Sequence, residues 1–239
     1  PGQFTRQGVR TMRRSIEVIA RRAELVLCSS LATMRDCEAV GLDPDMLRHV
    51  PLGVDLVDVD EATVEQVRRK YLLPEEFVLF VGTLEPRKNL RRLVDAVRRD
   101  EVTLPLVVAG AAGWGELDLD GTDDVTFLGF VPDGDLAALY AAATVFAYPS
   151  EREGFGLPVA EAMAQGTAVV TSAGTSTEEV AGGAAELVDP FDVVSIARGI
   201  AEPVERRDEL AVAGRRRAAE LEWAAAAERT LAAYRELAP

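Results

Sequence analysis

Thr144-Val-Phe-Ala-Tyr148 runs directly into Pro149-Ser-Glu-Arg-Glu153-Gly-Phe-Gly156 and then into Leu157-Pro-Val-Ala-Glu161-Ala-Met-Ala-Gln-Gly166. The first five residues carry no polar alternation, as a strand covered on both faces requires. Pro158 suits the first position of a helix, where its missing N–H costs nothing. Gly166 suits the residue just past the helix end. The stretch therefore predicts a strand, a glycine-containing turn and a helix. Gly154 and Gly156 lie just before that helix and let backbone N–H groups face outward with no Cβ in the way. A helix start of this kind is an anion site. Glu153 and Glu161 flank it, eight residues apart. Carboxylates accept hydrogen bonds from hydroxyls, so the pair fits a ligand that joins a diphosphate to hydroxyl-rich rings. The competing reading is a structural turn with two solvated glutamates.

The same rhythm extends outward in both directions. Apolar runs at 24–29, 77–81, 104–109, 125–128, 144–148, 168–171 and 185–188 alternate with helical patterns at 10–22, 31–40, 61–71, 90–99, 135–142, 158–165 and 193–202. Two more helical patterns, 207–220 and 223–237, close the chain. Alternating β and α segments predict an α/β fold, a parallel sheet with helices on both faces. The segment Val50-Pro-Leu-Gly-Val-Asp-Leu-Val-Asp-Val-Asp60 has Pro, Gly and three Asp but no helical period, which marks 50–60 as a linker. Upstream there is room for one strand and two helices, too little for a core of its own. Residues 1–49 are therefore expected to be the tail of an incomplete domain. Residues 61–220 hold about six strands, and residues 221–239 form a closing helix expected to pack back toward the N-terminal part.

A second strand-to-loop junction, Phe80-Val-Gly82-Thr83-Leu-Glu-Pro-Arg87-Lys88-Asn89-Leu90, puts two cations at the carboxyl end of the sheet, where open α/β folds bind ligands. Lys88 is one of only two lysines among 26 basic residues. An ammonium there is a natural phosphate partner; a solvated basic loop is the plainer reading. Asn89 is expected to cap the next helix. Gly110-Ala-Ala-Gly-Trp-Gly115 follows a strand in the wrong order for a dinucleotide fingerprint, which argues against a nicotinamide enzyme. Leu128-Gly129-Phe130-Val131 could lay backbone groups and an apolar side chain against a base, or be a plain turn.

Composition bounds the rest. The 239 residues carry a net charge of −14, which argues against nucleic-acid binding. No apolar run reaches the length of a membrane span, and the start, Pro-Gly-Gln-Phe, has no secretory pattern. The two cysteines, Cys28 and Cys37, make no disulfide framework and suit a reducing cytosol. One histidine, His49, and these cysteines offer no metal cluster of usual spacing, so no metal is expected. Six arginines between Arg6 and Arg22 read as a solvated helix face, with an acidic partner or lipid head groups as the alternative.

Gly82-Thr-Leu-Glu-Pro-Arg-Lys-Asn, Gly113-Trp-Gly, Leu128-Gly-Phe-Val and Glu153-Gly-Phe-Gly-Leu-Pro-Val-Ala-Glu161-Ala-Met-Ala-Gln-Gly together resemble, in order and spacing, the retaining GT-B glycosyltransferases of the large group 1 family, which contains many mannosyltransferases. Glu178-Glu-Val-Ala-Gly, Val188-Asp-Pro-Phe-Asp192 and Trp223 extend the likeness to roughly residues 23–237. Val50-Pro-Leu-Gly-Val-Asp55 is similar to the family's interdomain segment, with Leu52 where Asn is usual.

The resemblance implies a Rossmann-like, donor-binding C-terminal part of a two-domain enzyme whose N-terminal domain, with the acceptor site, is largely missing. It implies a donor that is a GDP- or UDP-sugar, no cofactor, and transfer to an acceptor hydroxyl of unknown identity with retained configuration. Glu153 would be the catalytic-site residue at the donor sugar and Glu161 the ribose contact. Lys88, with Arg87, would hold the diphosphate. Gly82, Thr83, Gly129, Phe130, Val131, Gly154, Phe155, Gly156 and Leu157 would complete the donor site. Thr83 stands where the family often has Arg. The expected place is the cytoplasm or the inner face of its membrane, and this chain alone is expected to bind donor without turning it over. A non-catalytic nucleotide-sugar-binding subunit that needs a partner chain is the alternative.

Overall fold

The computed structural model describes residues 6–113, 122 and 124–237. Trp114 and Gly115 of the Gly-Trp-Gly motif lie outside the described residues. Chain order is α1 (Arg6–Arg22), β1 (Val26–Cys28), α2 (Leu31–Ala39), β2 (Leu47–His49), α3 (Glu61–Tyr71), β3 (Val78–Val81), α4 (Leu90–Val97), β4 (Leu106–Ala109), β5 (Thr126–Gly129), α5 (Asp133–Ala142), β6 (Val145–Tyr148), α6 (Leu157–Ala164), β7 (Ala168–Ser172), α7 (Ser176–Ala181), β8 (Glu186–Val188), α8 (Val193–Glu205), α9 (Arg207–Ala219) and α10 (Trp223–Leu237).

The larger sheet has six parallel strands in the order β5-β4-β3-β6-β7-β8. Its strands are apolar throughout because both faces are covered: α4 packs with α8, while α6 packs with α5 and α9, and α3 with α5. Phe77, Leu79, Phe80, Phe146, Tyr140, Tyr148 and Met163 are fully buried in this core. The direction in which successive strands are added reverses at the centre. From β3 the strands step outward to β4 and β5; β6 then returns to the other side of β3 and β7 and β8 continue away. The crevice between β3 and β6 is thus the topological switch point, where ligands bind such sheets.

Upstream, β1 and β2 pair in parallel as a sheet of two, over a small core of Cys28, Leu42 and Leu47. This corrects the expectation of one strand before the linker. Leu47-Arg-His49 has one buried side chain in three, so it leaves no apolar run to read. Cys28 and Cys37 are both free thiols with Sγ atoms 4.0 Å apart; burial pushes the Cys28 thiol up to about 11. The closing helix α10 runs back beside β2, where Arg48 meets Glu236 at 2.6 Å. At its start Trp223 touches the linker so closely that a Cβ on Gly53 would meet its backbone N at 2.3 Å. Among the described residues no helix is long and apolar enough to cross a membrane.

Candidate functional site

Two loops leave the carboxyl ends of β3 and β6 and face each other over the switch point. The first passes through Gly82 and the exposed Thr83 into a 3₁₀ turn, Pro86–Lys88, which delivers Arg87 and Lys88. The second, residues 149–156, delivers Glu153. Asn89 takes the N-cap position of α4 with φ +63, but its side chain makes no capping hydrogen bond there. Its Nδ2 instead donates to the carbonyls of Pro149 (2.9 Å) and Pro190 (2.6 Å), tying the two loops together. The expected cap is therefore a buried cross-link, because the left-handed backbone turns the side chain away from the helix.

Glu153 receives every cation the first loop offers. Its Oε1 lies 2.6 Å from Lys88 Nζ and its Oε2 2.7 Å from an Arg87 guanidinium nitrogen. Tyr148 Oη donates to Oε1 at 3.0 Å, and Lys88 also donates to that phenol oxygen. Arg87 is shared with Glu85 at 2.9 Å. Burial pushes the Glu153 carboxyl up, yet Lys88 and Arg87 outweigh it and hold it below the usual carboxylate range. Burial pulls the Lys88 ammonium down, against the opposing pull of Glu153. Breaking a buried pair from one side costs about 3–5 kcal/mol, since the other charge is left without a partner.

Glu161 is placed apart from this cluster. It sits in the first turns of α6, in a cleft of about 390 Å³ whose walls include Val54, Asp55, Leu136, Tyr140, Leu157 and Trp223. The buried Tyr140 phenol donates to its Oε2 at 2.9 Å. Burial raises the Glu161 carboxyl despite that hydrogen bond, and the charges of Asp133 and Asp55 push the same way. One carboxylate is therefore held ionised by cations and the other is disfavoured as an ion. The cleft also brings the linker, α6 and α10 together.

The remaining predicted residues line the same edge. Gly156 adopts φ +115 immediately before α6, and a Cβ there would meet Thr177 Cγ2 at 2.7 Å. Leu157, not Pro158, is the first helical residue; the proline follows it. The carbonyl of Gly154 accepts from the hydroxyls of Ser29, Ser30 and Thr33 at 2.8–3.0 Å, which docks the start of α2 on this loop. Glu179 fixes the same helix start, accepting from the backbone N–H groups of Leu31 and Ala32 at 2.7 Å each. Phe155 is buried, whereas Phe130 is 72% exposed at the end of β5 beside Gly129 (φ +68) and the buried Val131. Gly110 packs against the start of the loop after β3: a Cβ there would meet the Gly82 carbonyl at 2.0 Å. His49 lines a separate cleft of about 210 Å³ with Glu179 and Arg229, and burial lowers its pKa. Among the described residues no cluster could hold a metal ion.

Sequence reading missed Tyr148 and Tyr140, which hold the two glutamates. An aromatic residue ending a buried strand or helix looks like core, and only the partner of its hydroxyl distinguishes the two.

A family model described as Glycosyl transferases group 1 matches residues 64–220. The O-antigen chain mannosyltransferase B of Escherichia coli is 34% identical, with 99% of this chain and 67% of that protein aligned. A D-inositol 3-phosphate glycosyltransferase of Thermomonospora curvata is 32% identical, over 91% of this chain and 58% of its own length. The structure of Anabaena HepE in complex with UDP and glucose superimposes with a TM-score of 0.85 at 22% identity, covering 98% of this chain and 68% of that one. This chain thus spans between 58% and 68% of the lengths of these three proteins.

Proposed function

The chain belongs to the glycosyl transferases group 1 family, and on that footing we propose that it is the donor-binding part of a retaining glycosyltransferase. Its donor is a nucleotide-diphosphate sugar and its acceptor a hydroxyl. The observation that carries this reading is the meeting of Lys88, Arg87 and Glu153 at the switch point, beside the glycine-led start of α6.

In this reading the diphosphate lies between Lys88 and the first backbone N–H groups of α6, with Arg87 beside it. The ribose hydroxyls donate to Glu161, whose cleft already accommodates an apolar wall and a carboxylate. The transferred sugar faces Glu153. Transfer breaks the bond between the anomeric carbon and the phosphate oxygen and forms one to the acceptor oxygen on the same face. The leaving phosphate takes the acceptor's proton. Charge growing on the diphosphate is met by cations and a helix start, with the Lys88 and Glu153 side chains buried, a setting in which such contacts act strongly. The relatives' names, a mannosyltransferase and an inositol-phosphate glycosyltransferase, and the UDP of the HepE complex support a sugar nucleotide and leave GDP- and UDP-sugars as the donors to try.

A thermal-shift panel of GDP-, UDP-, ADP- and TDP-sugars tests the proposal. A ligand at 100 times its Kd adds about 2.7 kcal/mol of stability, so one member should raise Tm by several degrees. No shift with any of them contradicts the reading.

A further inference from the structure

We propose that Tyr148 is the positioning residue of Glu153: its phenol holds the carboxylate in one orientation toward the transferred sugar while Lys88 is engaged with phosphate. The inference rests on the donor-binding reading above and adds a residue to it.

Tyr148 ends β6 with no exposed surface. Its ring is stacked between Phe80 and Phe146, at centroid distances of 5.9 and 5.6 Å, so the hydroxyl has a fixed place. Thr171 Oγ1 donates to its carbonyl at 3.0 Å and fixes the backbone as well. From that place the phenol donates to Glu153 Oε1 and accepts from Lys88, whose ammonium also lies 4.9 Å from the ring centroid. A phenol has one hydrogen to give and lone pairs to receive with, so both bonds are compatible. Burial, followed by the charge of Glu153, raises the phenol pKa well above its usual value, so the hydroxyl keeps its hydrogen.

The distribution of donors over the two carboxylate oxygens is the core of the argument. Oε1 receives Lys88 and Tyr148, and Oε2 receives Arg87. When Lys88 turns to the diphosphate, Oε1 keeps one donor, the phenol, and Oε2 keeps the other. Two fixed donors define the plane of the carboxylate. Without the phenol hydrogen, Oε1 has no protein donor left in the bound state and the carboxylate is free to rotate about its last bond.

Calorimetric titration of the 239-residue chain tests this, using GDP and GDP-mannose or UDP and UDP-glucose, whichever pair the wild type binds. Tyr148→Phe keeps the ring and its stacking. It should lower the affinity ratio of sugar nucleotide to diphosphate by about 10-fold or more, the worth of one hydrogen bond to a charged group, whatever the loss of the Lys88 contact does to the diphosphate affinity itself. An unchanged ratio, or equal weakening of both ligands, overturns the proposal. 3-Fluorotyrosine at position 148 gives an answer even if Tyr148→Phe does not fold. Its stronger O–H donor should raise the ratio, and an unchanged or lower ratio counts against a donor role. If the wild-type chain binds none of the GDP-, UDP-, ADP- and TDP-sugars of the thermal-shift panel, the donor-binding reading itself falls. Wild-type binding with an unaffected Tyr148→Phe removes only the role of Tyr148.

Discussion

Glu161 and Glu153 respond to acid with opposite signs. Glu161 binds its proton more tightly in the folded chain than in the unfolded one, because burial and two neighbouring aspartates disfavour its charge. Its ionisation therefore costs stability, fully above the raised folded pKa and not at all below the ordinary value of 4.5. Glu161→Gln keeps an acceptor for Tyr140 and removes the charge. It should raise Tm at pH 7, with the gain shrinking as pH falls toward 4.5; a lower Tm at pH 7 would show that the ionised carboxylate supports the fold. Glu153, held below the usual range, contributes stability above its unfolded pKa that is lost as pH falls through the folded value. A residue kept where it weakens the resting fold is what a binding role leads one to expect. The sequence marked both glutamates through the turn between them. It left their electrostatics unread, since Lys88, Tyr148, Tyr140 and Asp55 reach them from four separate segments.

At the level of elements, the turn before α6 is the tightest constraint on the site. Gly156 combines φ +115 with Thr177 Cγ2 at 2.7 Å from any added Cβ. Gly156→Ala should destabilise by about 2–4 kcal/mol, part backbone strain and part overpacking. Thr177→Ser removes the offending methyl and keeps the hydroxyl that bonds Thr171 at 2.7 Å. Urea unfolding of the two single variants and the double should show the double variant less destabilised than the sum, by about 1 kcal/mol or more; strict additivity would mean that the two side chains do not meet. The elements that sequence reading recovered are those with a period to read, such as α3 at Glu61–Tyr71 and α10 at Trp223–Leu237. Helix α7 escaped it: six residues from its Thr175 cap to the left-handed Gly182 are too few to show one. Helix α8 carries Pro203 inside it and ends at Glu205, three residues beyond the 193–202 pattern, at the cost of the backbone hydrogen bond that a proline cannot donate.

For the whole molecule, strand order was the piece that periodicity could not supply. Seven apolar runs predict a parallel sheet, but only the pairing of β3 with both β4 and β6 reveals where it reverses. That reversal brings residues 82–89 and 149–156, about 65 positions apart in sequence, into one cluster. The family membership follows from the match over residues 64–220, while donor binding is the central functional claim built on it. The most direct test compares a nucleoside with its diphosphate by calorimetry, on the wild-type chain and on Lys88→Met combined with Glu153→Gln. The double variant removes both charges of the Lys88–Glu153 pair and leaves Arg87 paired with Glu85, so no buried charge is left without a partner. Wild type should prefer the diphosphate by about 10- to 150-fold, the worth of a charge-assisted bond, and the double variant should lose most of that preference with nucleoside affinity unchanged. Equal wild-type affinity for nucleoside and diphosphate, or a preference that survives in the double variant, would contradict a phosphate site at the switch point.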